Sequence, residues 1–136
     1  MAWLLDTTAL SAIMRGERAA SKRLLEMDPN EVRVPQPVVA EIRYGLARLP
    51  RSRRRELLEA RFDVLLRSIA RAAWTDGVSA RFGDLKAELE RAGVRVDDFD
   101  VAIAAHALEL EATVVTDNVK HFVRVPGLAV ESWSSG

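Results

Sequence analysis

Four carboxylates stand where the chain changes its local pattern. Asp6 ends the apolar run Ala2-Trp3-Leu4-Leu5, and Asp117 follows the β-branched run Thr113-Val114-Val115-Thr116. Asp100 opens the apolar segment VAIAAHALEL, and Glu41 flanks a helical stripe of Val38, Ile42, Leu46 and Leu49. Carboxylates brought together repel one another and resist ionising together unless a cation neutralises them. The chain has no cysteine and two histidines, His106 and His121. Disulfides and thiolate sites are excluded, and a His-rich zinc site is not expected. An oxygen ligand set suits Mg²⁺ or Mn²⁺. One or two such ions best support phosphodiester hydrolysis, by activating a water and stabilising charge on the phosphate and the leaving oxygen. Each acid also has a plainer use. Asp6 is a good helix cap, Glu41 taken alone is an ordinary flanking glutamate, and a cap needs only one of Asp97, Asp98 and Asp100.

The elements that position these acids follow from the same patterns. Ala2 to Leu5 reads as a strand buried on both faces, because such strands lose the in/out alternation. Thr7 or Thr8 can cap the helix that follows, Ala9 to Met14, which stops at Gly16. Glu17 to Met27 is a second helix with Ala20, Leu24 and Met27 on one face. Asp28-Pro29-Asn30 is a turn, and Val32-Arg33-Val34 is a short strand ended by Pro35. Pro37 suits the first turn of a helix running to about Leu49. A long helix covers Arg54 to Ile69. Ala72-Ala73-Trp74 is a third strand, ended by Asp76-Gly77. Val78 to Ala92 is a helix closed by Gly93, and Val94-Arg95-Val96 is extended. Val101 to Leu110 is apolar almost all round and reads as a buried helix, with the acids at its positive end. His106 lies roughly 120° around that helix from the acid face and reads as a packed core or interface residue. Thr113 to Thr116 is a strand, Val119 to Phe122 a short helix, Val125-Pro126-Gly127 a turn, Leu128 to Glu131 a last strand, and Ser132 to Gly136 a tail.

This alternation predicts an α/β domain of three layers, with a mainly parallel central sheet of four to five strands flanked by helices. Strand C-termini and the helix N-termini that follow them share one edge, where ligands bind. Asp6, Glu41, Asp100 and Asp117 are therefore expected around one pocket on that edge.

One domain spanning residues 1–136 is expected from the length. Hydrophobic residues make up 49%, yet no apolar run approaches the roughly 18–20 residues needed to cross a bilayer. The N-terminus lacks the basic region and cleavage site of a signal peptide. The expectation is a cytoplasmic protein with no membrane partner. The formal net charge is zero, 20 basic against 20 acidic residues, so any nucleic-acid contact must use locally segregated charge. Of the 20 basic residues 17 are arginine, which favours bidentate phosphate contacts, although genomic base composition gives the same skew. Five arginines fall between Arg48 and Arg55. Arginine at a helix N-terminus opposes the macrodipole, so this run reads either as a phosphate contact or as a solvated linker in a helical hairpin.

Four stretches, in order, resemble the PIN-domain ribonucleases of the VapC toxin type. LLDTTALSAI (Leu4–Ile13) is similar to the family's opening LLDTNxxS, and VPQPVVAEIRYGL (Val34–Leu46) to its second motif, a glutamate in a helix followed by a small-residue turn. DVAIAAHALE (Asp100–Glu109) resembles its aspartate followed by xxIAAHA, and VVTDNVKHFVRVPGLAVESW (Val114–Trp133) its closing TxNxxHFxxVPGLxxExW. The resemblance implies that Asp6, Glu41 and Asp100 are metal-binding carboxylates, with Asp117, or alternatively Asn118, as the fourth position. Thr7 and Thr116 would orient the acids through their hydroxyls, and Ser11 would face the same pocket. One departure is Thr8, where the family usually has asparagine. Asp97 and Asp98 would be capping or outlying acids. The resemblance further implies a toxin-type endoribonuclease using Mg²⁺ or Mn²⁺, a homodimer, and a cognate VapB-like antitoxin that places an arginine against the carboxylates. The substrate would be structured RNA, a tRNA or a ribosomal RNA loop, with Arg51, Arg53, Arg54, Arg55 and Lys120 gripping flanking phosphates.

Two other readings fit part of the pattern. A phosphatase or phosphotransfer domain also places an aspartate after its first strand, but Asp6-Thr7-Thr8 lacks the second aspartate two residues on. A non-catalytic PIN-like module that binds RNA or protein is the alternative outside enzymes. The joint presence of Asp6, Glu41 and Asp100 argues against it.

Overall fold

Parallel strands cannot be joined by tight turns, so each connection between them must carry helix. The computed structural model of the chain, which describes residues 1–134, has this form throughout. Among the described residues, strands β1 (Trp3–Leu5), β2 (Val32–Pro35), β3 (Ala70–Ala72), β4 (Thr113–Val115) and β5 (Val130–Glu131) pair in the order β3-β2-β1-β4-β5. Every pair is parallel. The helices are α1 (Thr7–Met14), α2 (Arg18–Glu26), α3 (Gln36–Ala47), α4 (Arg53–Ser68), α5 (Asp76–Arg91), α6 (Asp98–Leu110) and α7 (Val119–Phe122).

With the right-handed crossovers that such units adopt, the chain winds one way from β1 to β3, carrying α1 to α4. It then returns to β4 and winds the other way to β5, carrying α5 to α7. Helix contacts agree: α1 packs on α2, α3 and α4, while α6 packs on α5 and α7. The reversal falls between the neighbouring strands β1 and β4. A crevice opens at such a point, outside the strand C-termini.

The sheet holds the core. Leu4, Leu5, Val34, Val114 and Val115 are buried, with Leu10, Val38, Phe62, Ile103 and Phe122 packed into the same cluster. Burying a Leu or Phe side chain contributes about 1.5–3 kcal/mol, so these short strands are stabilised chiefly by what covers them.

Several boundaries differ from the sequence expectation, each for a local reason. Helix α1 starts at Thr7 because Asp6, and neither threonine, is its cap: the Asp6 Oδ1 accepts from the Ala9 N–H at 2.9 Å. Helix α4 starts at Arg53 under a Ser52 cap, and α5 starts at Asp76 under a Thr75 cap. Strand β3 lies at Ala70–Ala72 and not at Ala72-Ala73-Trp74. Its partner β2 ends at Pro35, paired with Ala72. Trp74 serves the helices instead, donating to the Ser79 hydroxyl at 2.7 Å and packing on Phe82 and His106. Helix α6 begins at Asp98, so Asp98 and Asp100 both lie in its first turn. The last strand covers only Val130–Glu131. Of the expected tail, Ser135 and Gly136 lie outside the described residues. No helix among the described residues is long and apolar enough to cross a membrane.

Candidate functional site

Strand pairing brings Asp6 beside the end of β4. Leu5 is in register with Val115, and the Asp6 N–H donates to the Val115 carbonyl at 3.0 Å. Asp6 is nearly fully buried, at 3% exposure. Its Oδ1 accepts from the Ala9 N–H and from the Thr8 hydroxyl, the latter at 2.7 Å. Thr8 thereby does more than replace the family's asparagine. Its oxygen also accepts from the Asp117 N–H at 2.9 Å and lies 3.4 Å from the Thr116 hydroxyl. One threonine side chain therefore ties the end of β1 to the end of β4.

Glu41 comes from α3, which packs on both α1 and α6. Thr7 donates to its Oε1 at 2.6 Å, leaving Oε2 without a hydrogen bond among the described residues. Asp100, in the first turn of α6, has its Oδ2 3.4 Å from His121 Nδ1 on α7. Asp117 is exposed and its side chain meets the Ser134 hydroxyl. Asn118 is exposed at the start of α7, and its N–H donates to the Thr116 hydroxyl at 2.9 Å.

Electrostatics join these groups more widely than hydrogen bonds do. Burial pushes the Asp6 carboxyl up from its ordinary value, and the Asp117 charge adds to this; the Thr116 and Thr8 hydroxyls and the Ala9 N–H pull it back. Burial raises Glu41, with the charges of Asp100, Asp97 and Asp6 acting the same way against the Thr7 hydroxyl. Burial again raises Asp100, helped by Asp97 and Asp6 and opposed by His121. Each of the three acids is thus held toward protonation by low dielectric first and by a neighbouring carboxylate second.

Asp6, Glu41 and Asp100 are linked through charge: Asp6 and Asp100 act on Glu41, and Asp6 acts on Asp100. Asp117 joins them through Asp6. Among the described residues, no three carboxylate or histidine groups already surround one ion position. The donor set nonetheless fits a hard divalent cation. It is oxygen-rich and partly buried, it is destabilised by its own charge, and it has an open oxygen on Glu41.

Ser11 lines a cavity of about 220 Å³ together with Thr7, Glu41 and Arg54. That cavity shares Met14 with a more apolar groove of about 400 Å³ along α4, lined by Ala60, Val64 and Leu65. Of the arginines expected to grip phosphate, Arg51, Arg53 and Arg54 are exposed, as is Lys120. Arg55 is already engaged. It donates to Glu59 at 2.6 Å and to the Leu49 carbonyl at 3.0 Å, which locks the turn between α3 and α4. His106 is buried as expected, with its Nδ1 2.8 Å from the Ala102 carbonyl.

Three residues at the site escaped sequence reasoning: His121, Asp97 as a charge on both Glu41 and Asp100, and Thr8 as a tie between strands. The signal for His121 was its place one helical turn beyond Asn118, on a helix leaving the same sheet edge.

Residues 3–128 match the PIN domain. The chain is 32% identical over 104 residues to ribonuclease VapC2 of Rickettsia felis, covering 76% of this chain and 75% of that one. It is 29% identical over 136 residues to the tRNA(fMet)-specific endonuclease VapC of Shigella flexneri, covering 97% and 98%. The VapBC2 structure from Rickettsia felis, bound to a DNA fragment from its promoter, superposes with a TM-score of 0.86 at 27% identity. It covers 98% of this chain and 99% of that one.

Proposed function

This chain belongs to the PIN-domain family, among the VapC ribonucleases, and from that premise we propose that it is a toxin-type endoribonuclease hydrolysing RNA phosphodiester bonds in the cytoplasm. The observation that carries the reading is the placement of buried Asp6 at the β1/β4 switch point, with its charge reaching both Glu41 and Asp100 and the Asp100 charge reaching Glu41. A surface that keeps three such acids together has a use for their combined charge. Mg²⁺ or Mn²⁺ held by Asp6, Glu41 and Asp100, with Asp117 or Asn118 as the fourth position, supplies Lewis acidity and an activated water when bound.

The chain's own groups supply placement. Ala9 N–H and Thr8 fix Asp6 in one orientation, and Thr7 fixes Glu41. His121 faces Asp100 and offsets part of its repulsion from Asp6 and Asp97. Asp117 is the stronger choice for the fourth position, since its charge is felt at Asp6. Arg51, Arg53, Arg54 and Lys120 are free to contact phosphates flanking the cleaved bond. The substrate class is structured RNA, a tRNA or a ribosomal RNA loop; the Shigella flexneri relative is named for a tRNA.

The cognate partner is a VapB-like antitoxin, as in the VapBC2 complex. The groove along α4, which shares Met14 with the cavity beside Glu41, suits a segment that buries apolar side chains and ends in a cation. An arginine there competes with the metal for the same carboxylates. A homodimer is the assembly expected of the family.

The test is cleavage of labelled total RNA by the purified chain with Mg²⁺ or Mn²⁺, with EDTA, and beside Asp100→Asn. Discrete products that vanish with EDTA and in the variant are expected. Equal cleavage by the variant overturns the assignment. That no three such groups among the described residues surround one ion position favours one second reading, a PIN-like module that binds RNA or protein without cutting. Cation binding without cleavage of any RNA would select it.

A further inference from the structure

Asp100 also lines a second cavity, of about 190 Å³, whose other walls include Arg95, Asp97, His121 and Arg124. A water takes up about 30 Å³ of liquid, so this space admits a group the size of a phosphodiester. Arg95 lies in the segment joining α5 to α6, and Arg124 follows α7. Among the described residues neither guanidinium forms an ion pair, although two carboxylates share the cavity with them. Arg124 Nη2 reaches only the Arg95 carbonyl, at 3.4 Å. Arg55 and Arg43, by contrast, are paired with Glu59 and Asp63. The cavity therefore keeps two permanent charges with donors to spare, beside Asp97 and Asp100.

An acidic edge repels RNA, and flanking fixed cations offset that repulsion. Guanidinium groups match phosphate oxygens in geometry and do not titrate. An RNA strand carries a phosphate at every nucleotide, so a strand with one phosphate at the carboxylates presents its neighbour beside them. We infer that this cavity is a phosphate subsite, in which Arg95 and Arg124 hold the RNA phosphate next to the cleaved bond and set the register of the strand across Asp100. The inference rests on the ribonuclease reading above and adds a positioning role for two residues outside the carboxylate set.

The test is binding of a short fluorescein-labelled single-stranded RNA, followed by anisotropy in EDTA across a salt titration. The proteins are wild type, Arg95→Gln/Arg124→Gln, Arg95→Lys/Arg124→Lys, and Arg67→Gln. The last removes an exposed charge at the far end of α4. Each phosphate contact contributes about 0.7 to the slope of log affinity against log salt for single strands. The double Gln variant should lose about that much slope and bind several-fold more weakly at low salt, whatever the RNA sequence. The double Lys variant should keep the slope, which shows that the fold survives substitution at both positions. A double Gln variant that matches Arg67→Gln in slope and affinity overturns the subsite, as does a wild type that does not bind the RNA. Cleavage of total RNA with Mn²⁺ is scored in parallel. A wild type that cuts RNA while the double Gln variant binds normally removes the subsite alone. A wild type that binds through Arg95 and Arg124 but cuts nothing keeps the subsite and removes the nuclease reading.

Discussion

Hydroxyl groups do much of the positioning at this sheet edge. Thr7, Thr8 and Thr116 surround the acids with short side chains that lose little freedom when ordered. Thr7 holds Glu41 at 2.6 Å, so Thr7→Val should free the carboxylate and raise the cation concentration needed for half-maximal cleavage by about 10–100-fold. Thr7→Ser should restore it, since only the hydroxyl is needed; a cation titration of cleavage reads both variants. Glu41 carries a second prediction, on stability. Its carboxyl is raised in the folded state, so between its unfolded and folded values the native protein binds more protons than the unfolded chain. Stability contributed by this group is therefore present at acid pH and lost as pH rises through the raised value. In EDTA at neutral pH, Glu41→Gln should melt above wild type, and the difference should close near the ordinary carboxylate range. A variant melting at or below wild type at both pH values would show that repulsion at Glu41 costs nothing.

Helix α6 joins two kinds of chemistry along one axis. Its first turn presents Asp98 and Asp100 to the positive end of the dipole, while its middle, Val101 to Ala107, is buried throughout. His106 sits in that buried stretch. Trp74 meets its ring edge-on at 5.4 Å, and its Nε2 has no partner among the described residues. Burial lowers the His106 pKa, so the unfolded chain takes up the proton first as pH falls. Stability from this residue is present at neutral pH and lost on acidification below about 6.5. His106→Phe keeps a planar ring against Trp74 and removes the titration. It should lose less stability than wild type between mildly basic and mildly acidic pH, measured by denaturant unfolding at each pH. Equal losses would mean that the buried imidazole does not contribute to acid sensitivity.

The winding of the whole chain makes the site. Strands β1 and β4 are neighbours in space and about a hundred residues apart in sequence, roughly the chain length that an ordinary small domain contains. A cation bridging Asp6, Glu41 and Asp100 would join β1, α3 and α6, so its binding energy becomes folding energy. At a concentration one hundred times its dissociation constant it should stabilise the fold by about 2.7 kcal/mol, a rise of several degrees in melting temperature. Mn²⁺ should give this rise in wild type, and Asp100→Asn should reduce or abolish it. The same rise in the variant would place the cation elsewhere.

Much of this architecture is legible from local pattern alone. Short apolar runs next to amphipathic stretches specify which segments are strands and which are helices, because burial on two faces or one imposes different periods. Motif order points to the family, and with it to Asp6, Glu41 and Asp100. Boundaries shifted where a particular side chain took an unexpected partner, as Asp6 did in capping α1 and Trp74 in leaving the sheet for α5 and α6. Local pattern carries no information about which charges share a low-dielectric space. That His121 acts on Asp100, that Thr8 ties β1 to β4, and that Arg95 and Arg124 share one cavity depend on groups far apart in sequence meeting across the sheet edge. Coulomb and hydrogen-bond energies fall with distance in space, and folding alone sets those distances.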